Sequence, residues 1–146
     1  MKKVLLFIFT ILLMVSCNKE DVSQNGCVSN LLPNYGFDTG SEINLNLPLY
    51  SGLQFAGNSL YVSGYGVKGI YLYNNGSSIV AFEASDPAHG ASSCSGMTIS
   101  GIELTCECGD GNSYELLTGQ QTQGDTGNCL RAYRAEKNGS IVQVYN

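Results

Sequence analysis

The sequence predicts an all-β domain, a small antiparallel sandwich or partly open barrel. Three observations carry that expectation. From residue 41 onward short runs alternate apolar and polar residues, the period-2 pattern of half-buried strands. Gly, Asn and Ser interrupt those runs every few residues, and 18 of the 146 residues are Gly, which is the punctuation of turns. No window shows a helical stripe of useful length, and no internal repeat or low-complexity tract is present. A chain of this size forms a single core.

The elements follow in order. Ile43, Leu45 and Leu47 alternate with Asn44, Asn46 and Pro48. Leu60 and Val62 alternate with Tyr61 and Ser63. Tyr71 to Tyr73, the polar stretch Asn74 to Ser78 and then Ile79 to Glu83 read as a hairpin with a Gly-containing loop. Met97, Ile99, Ile102 and Leu104 flank Gly101 and suggest a second hairpin. Leu130 to Glu136 and Ile141 to Tyr145 flank Lys137-Asn138-Gly139-Ser140. Asn-Gly is a strong hairpin signal, because both residues tolerate positive φ. The nine tyrosines fall mostly in these runs, as amphipathic strand residues do. A stacking platform for sugars or bases is a lesser reading of them.

The start of the chain is of another kind. Lys2 and Lys3 precede an apolar run from Val4 to Val15, broken only by Thr10. That run is short of the ~20 residues a membrane span needs and reads as an export signal. Its end, Leu13-Met14-Val15-Ser16-Cys17, resembles a bacterial lipobox. The resemblance implies removal of residues 1–16 and lipidation of Cys17. Acyl chains contribute ~0.8 kcal/mol per buried CH₂, so several of them make a durable anchor. Asn18-Lys19-Glu20-Asp21 is similar to the acidic tag that follows the lipidated cysteine of some Gram-negative surface lipoproteins. The expected organisation is a signal peptide at 1–16, a flexible lipid-anchored tether at 17–40 and a β domain at 41–146. The expected location is the outer membrane or cell surface of a Gram-negative bacterium. From Cys17 onward five basic residues stand against twelve acidic ones, a net charge of −7. No basic cluster remains, which argues against nucleic acid. The expected partners are the membrane, through the anchor, and an unidentified protein.

The chemistry-bearing residues lie between Phe82 and Tyr145. Asp86-Pro87-Ala88-His89 precedes Cys94, and Cys106-Glu107-Cys108 precedes Gly109-Asp110-Gly111. Tyr114-Glu115-Leu116-Leu117-Thr118-Gly119 follows, then Leu130-Arg131-Ala132-Tyr133 and the terminal hairpin. Over residues 58–146 this layout resembles the Rieske [2Fe–2S] domain. That family has a Cys-Pro-x-His type loop, a Cys-x-Cys-His-Gly-Ser-x-Phe loop, an Asp-Leu-x-Thr-Gly stretch and a late Leu-x-x-Tyr. The implied fold is a small Rieske-like antiparallel β-sandwich with two loops clamped by a disulfide.

The departures from that pattern are chemical. A Rieske cluster takes two thiolates on one iron and two imidazoles on the other. By alignment with the motif, Asp86 occupies the first cysteine's place, His89 the first imidazole's and Cys106 the second cysteine's. The second imidazole falls on Gly109 or Asp110, and His89 is the only histidine. At most two of four ligands are retained, so the expectation is a domain without its [2Fe–2S] cluster and without another cofactor. Asp86, His89, Cys106 and Asp110 are the vestigial cluster positions. One Zn²⁺ or Fe²⁺ held by all four is a lesser reading, since nothing in the spacing demands it.

The resemblance also implies a disulfide between Cys94 and Cys108, one extra cysteine in each cluster loop. Export favours its persistence. Two bridges among the five cysteines after Cys17 allow fifteen arrangements; pairing Cys27 with Cys129 by elimination would leave Cys106 as the free thiol. Cys106 with His89 is the single nucleophile–base candidate, but no orienting group or oxyanion hole accompanies it, and no catalytic residue is assigned. Gly64-Tyr65-Gly66 and Gly109-Asp110-Gly111 lack a following helix and read as turns.

Overall fold

The computed structural model describes Cys27, residues 31–124 and residues 127–146. Ten strands run in chain order: β1 (Ile43–Asn44), β2 (Ser59–Val62), β3 (Ile70–Asn74), β4 (Ile79–Glu83) and β5 (Met97–Ser100), then β6 (Glu103–Cys106), β7 (Ser113–Glu115), β8 (Gln121–Gln123), β9 (Ala132–Asn138) and β10 (Ile141–Tyr145). A single 3₁₀ turn, Ser51–Gln54, is the one helical element among the described residues. The strands pair antiparallel throughout. One sheet has the order β1-β10-β9-β4-β3-β2, and a smaller one the order β5-β6-β7-β8.

The β3–β4 hairpin separates two apolar cores. Ile70, Leu72, Ile79 and Ala81 point into a core shared with Ile43, Leu53, Val142 and Val144. Residues from both ends of the large sheet, Ile43 of β1 and Leu60 and Val62 of β2, pack on that cluster, so the sheet curves around it. Tyr71, Tyr73 and Phe82 face the other way, onto Met97, Leu104, Tyr114, Leu116 and Leu130. Successive side chains of a strand point to opposite faces. A strand covered on both faces therefore loses its polar alternation, and this is why β3 reads Ile-Tyr-Leu-Tyr.

The hairpin loop between β3 and β4 is held by Asn75, whose Oδ1 accepts the N–H groups of Ser77 (3.0 Å) and Ser78 (2.8 Å). The β5–β6 hairpin turns at Gly101 and Ile102, with Ser100 opposite Glu103. Ile102 is thus a half-exposed turn residue and not a strand residue.

Three sequence expectations are adjusted by tertiary contacts. Ile141 pairs with Asn138, so the last hairpin turns on Gly139 and Ser140 alone, with Gly139 at φ +61°. Strand β9 consequently starts at Ala132 and extends through Lys137 and Asn138. The alternating run at 43–47 yields only the two residues of β1. There Asn44 Oδ1 accepts the Asn46 N–H at 3.0 Å, a local bond that competes with the ladder. Finally, packed structure reaches upstream of residue 41. Leu32 is buried, and Phe37 sets its ring against Tyr65 and Tyr133. The Thr39 N–H donates to Val144 O at 2.9 Å, while Thr39 Oγ1 accepts the Val144 N–H at 2.8 Å. Residues 31–40 belong to the domain rather than to a flexible tether. Cys17 and the signal segment lie outside the described residues.

Candidate functional site

Two loops meet beside the smaller sheet, one between β4 and β5 and the other between β6 and β7. The first leaves β4 through Glu83 and Ser85 and places Asp86 by a backbone bond, Asp86 N–H to Ser95 O at 2.8 Å. Ser85 is bridged to Gly96. The second continues the inward alternation of β6, in which Leu104 and Cys106 are buried and Thr105 is exposed. The Cys106 N–H donates to Asn112 O at 2.9 Å, which folds the chain from Glu107 to Gly111 into a tight excursion. A disulfide joins Cys94 to Cys108 with Cα atoms 4.8 Å apart. A second one joins Cys27 to Cys129, Cα atoms 5.5 Å apart. Cys106 is the free cysteine among the described residues, and it is buried.

Asp86 is fully buried. Its Oδ1 accepts the Tyr114 hydroxyl at 2.5 Å and the Ala88 N–H at 2.8 Å. Its Oδ2 accepts Asn112 Nδ2 at 3.0 Å and lies 3.6 Å from His89 Nε2. The Asn112 amide reaches Asp110 Oδ2 as well, at 2.8 Å, so one side chain ties both carboxylates together. Asp110 Oδ1 accepts the Asn112 N–H at 3.1 Å, and His89 Nε2 contacts Asp110 Oδ2 directly. Cys106 Sγ accepts the Cys108 N–H at 3.4 Å. Donor atoms of Asp86, His89, Cys106 and Asp110 all lie within 4.8 Å of one another. Cys108 Sγ is equally near to His89 and Cys106, but its sulfur is committed to the disulfide.

The electrostatics follow from burial and these contacts. Desolvation raises the Cys106 thiol to about 12; the Cys108 N–H opposes that, and Asp86 and Asp110 add to it. The thiol is therefore neutral at physiological pH, the opposite of an activated nucleophile. The Tyr114 phenol is also raised, first by burial and then by the Asp86 carboxylate beside it. Desolvation pushes Asp110 upward, but the His89 contact and backbone donors outweigh it, and the carboxyl ends below its ordinary value.

This donor set does not fit a [2Fe–2S] cluster. One thiol and one imidazole are available where two of each are required. Asp86 already spends one oxygen on two internal donors, and carboxylate is a hard donor beside thiolate. Cys106 and His89 come close to each other, but burial raises the thiol, unlike an activated nucleophile.

Two further residues hold the site together, one outside the motifs and one inside them without a role in the chemistry. Asn112 organises both carboxylates, and its Oδ1 accepts Gln121 Nε2 at 3.0 Å. A signal for it lies at Gly124 (φ +97°), where a Cβ would collide with Asn112 Oδ1. Tyr114, quoted as part of a motif, supplies the hydroxyl that holds Asp86.

No family model matches the chain, and no curated protein matches it in sequence. Among solved structures it is similar to a chain of the complex of reduced oxygenase and oxidised ferredoxin in carbazole 1,9a-dioxygenase. The identity there is 23% and the TM-score 0.45, covering 62% of this chain and 82% of that one. It is also similar to the ferredoxin of carbazole 1,9a-dioxygenase from Nocardioides aromaticivorans, at 15% identity and TM-score 0.46, covering 76% of this chain and 97% of that one. The strand pairing and the bridge between the loops make the fold class all-β, two antiparallel sheets with two loops clamped by a disulfide.

Proposed function

We propose that this chain is an exported lipoprotein, anchored through acyl chains on Cys17 at the outer membrane or cell surface of a Gram-negative cell. In this reading its Rieske-type domain carries no [2Fe–2S] cluster and serves as a binding or structural module of the envelope. The observation that carries the reading is Asp86. It stands where the resemblance puts a cluster thiolate, and its Oδ1 is spent on Tyr114 and Ala88. Disulfide clamping supports the same reading, since loops held by Cys94–Cys108 keep their shape without a cluster to organise them. A partner protein or envelope component is the ligand class this module would take.

The test is production of the full chain in a Gram-negative host, membrane fractionation, and iron and acid-labile sulfide analysis with a visible spectrum. The expected result is membrane association, its loss in Cys17→Ala, and a colourless protein without sulfide. Two irons with sulfide per chain would overturn the cluster-free reading. An electron-transfer protein, which the resemblance at Cys106 and at Tyr114–Gly119 favours, would replace it. Membrane association unchanged in Cys17→Ala would remove the lipoprotein reading.

A further inference from the structure

We propose that Asp86, His89, Cys106 and Asp110 hold one divalent cation of borderline softness, with Zn²⁺ the best match. The inference deepens the cluster-free reading and rests on it, because the same space cannot hold both a cluster and a single ion.

Four observations support it. The donor atoms come from two different loops and all lie within 4.8 Å of one another. In a tetrahedral site with bonds of about 2.0–2.3 Å the donors lie roughly 3.3–3.8 Å apart, so side-chain adjustments of about an ångström close the site. Next, Asp86 is asymmetric. Its Oδ1 is filled by Tyr114 and Ala88, while Oδ2 accepts the Asn112 amide and faces His89, and the Cys106 thiol hydrogen-bonds the same carboxylate. That is how a ligating carboxylate is held: one oxygen fixed from behind, the other aimed at the ion. Third, two carboxylates and a thiol converge on one imidazole, and the Asn112 amide is shared between both acids. A dication relieves the repulsion between them. Last, the Cys94–Cys108 bridge holds the two loops together before any ion arrives, which lowers the ordering cost of binding.

The donor chemistry selects the ion. Ca²⁺ and Mg²⁺ take oxygen ligands, and this set contains a sulfur and a nitrogen. Thiolate, imidazole and carboxylate are all ordinary zinc ligands in a tetrahedral site. Binding replaces the Cys106 S–H bond with an S–metal bond and releases that proton to solvent. His89 binds as neutral imidazole through Nε2. With four protein donors and no open position, the ion is structural, a second clamp beside the disulfide.

The experiment uses the full-length protein in detergent, stripped with a chelator and titrated with Co²⁺ as a spectroscopic probe, then with Zn²⁺ in competition. The expected result is one Co²⁺ per chain with thiolate-to-cobalt charge transfer and tetrahedral d–d absorption, displaced by one Zn²⁺. Cys106→Ser should abolish the charge-transfer band. His89→Gln and Asp110→Asn, on the accessible parts of the loops, should weaken binding by more than tenfold with an unchanged far-ultraviolet spectrum. Tyr114→Phe, which touches no ion, should weaken it about 10–100-fold. Cobalt bound without the charge-transfer band, or with equal affinity in His89→Gln and Asp110→Asn, would overturn the site. No cobalt uptake by a folded, iron-free protein would end this inference and leave the cluster-free reading standing. Iron with sulfide in the protein as purified would end both.

Discussion

Glu83 and Asp86 sit three residues apart, both fully buried, and they do different work. Glu83 ends β4 against the larger sheet. Its Oε1 accepts the N–H groups of Lys68 (3.0 Å) and Ser85 (3.1 Å), and its Oε2 accepts the Val67 N–H (2.8 Å) and the Tyr133 hydroxyl (2.6 Å). Every lone-pair direction of that carboxylate is used. Gly66 (φ +63°) leaves room for it, since a Cβ there would collide with Oε2. Asp86 belongs to the loop region beside the smaller sheet, and its neighbours include the exchangeable groups of His89, Cys106 and Asp110. A buried carboxylate held by backbone and tyrosine donors is a fastener of the fold. One set among other metal-ligating side chains is the centre of a candidate site.

Substitutions test this contrast, beginning with the largest expected effect. Glu83→Ala strands four donors, two in buried and two in part-buried bonds, each costing about 1–3 kcal/mol when left without water. The expected loss is about 4 kcal/mol or more, a large share of the ~5–15 kcal/mol available to a domain, read by urea denaturation. Asp86→Ala strands three such donors, two of them in buried bonds from Tyr114 and Asn112, so its cost should be somewhat smaller. Equal losses in the two variants would erase the distinction between fastener and site.

Cys94→Ser comes next. The bridge closes a separation of 14 residues, worth about 3 kcal/mol in the chain-entropy model. That loss should appear as a lower melting temperature in metal-free protein and should shrink when Zn²⁺ is present. An unchanged melting temperature in the metal-free form would show that the clamp is dispensable.

The smallest effect is on the alkaline limb of stability. Burial, then the Glu83 contact, raises the Tyr133 phenol, as burial and Asp86 raise Tyr114. A group whose folded pKa is raised stabilises the fold below its unfolded value, about 10 for tyrosine. That contribution is lost as pH rises further, because the unfolded state ionises first. Stability should therefore fall above about pH 10. Tyr133→Phe should lose about 1 kcal/mol at neutral pH and show a shallower alkaline decline. An identical slope in wild type and Tyr133→Phe would mean that the phenol does not titrate differently on folding.

Local chemistry was legible in the chain. The Asn75–Ser78 loop and the Gly101 turn announce their hairpins, because side-chain capping and positive φ are properties of a few neighbouring residues. The donor types at Asp86, His89, Cys106 and Asp110 were legible as well. Strands β7 and β8 were less so, being three residues each and too short for a periodic signal. Glu83 was hidden at the end of an apolar run, where nothing nearby says that Val67 and Tyr133 will surround it.

By itself the sequence determined an all-β class, the three hairpins and the inventory of ligating groups, since each depends on alternation, turn residues or composition. Only the tertiary structure decided that β3 and β4 bury both faces, that Asp38 and Thr39 pair along β10, and that the final turn lies on Gly139 and Ser140. It alone decided which oxygen of Asp86 faces His89. Asn112 and Tyr114 reach that carboxylate from 26 and 28 residues away. Contacts of that range are set by how the two sheets close on their cores, and no local pattern encodes them.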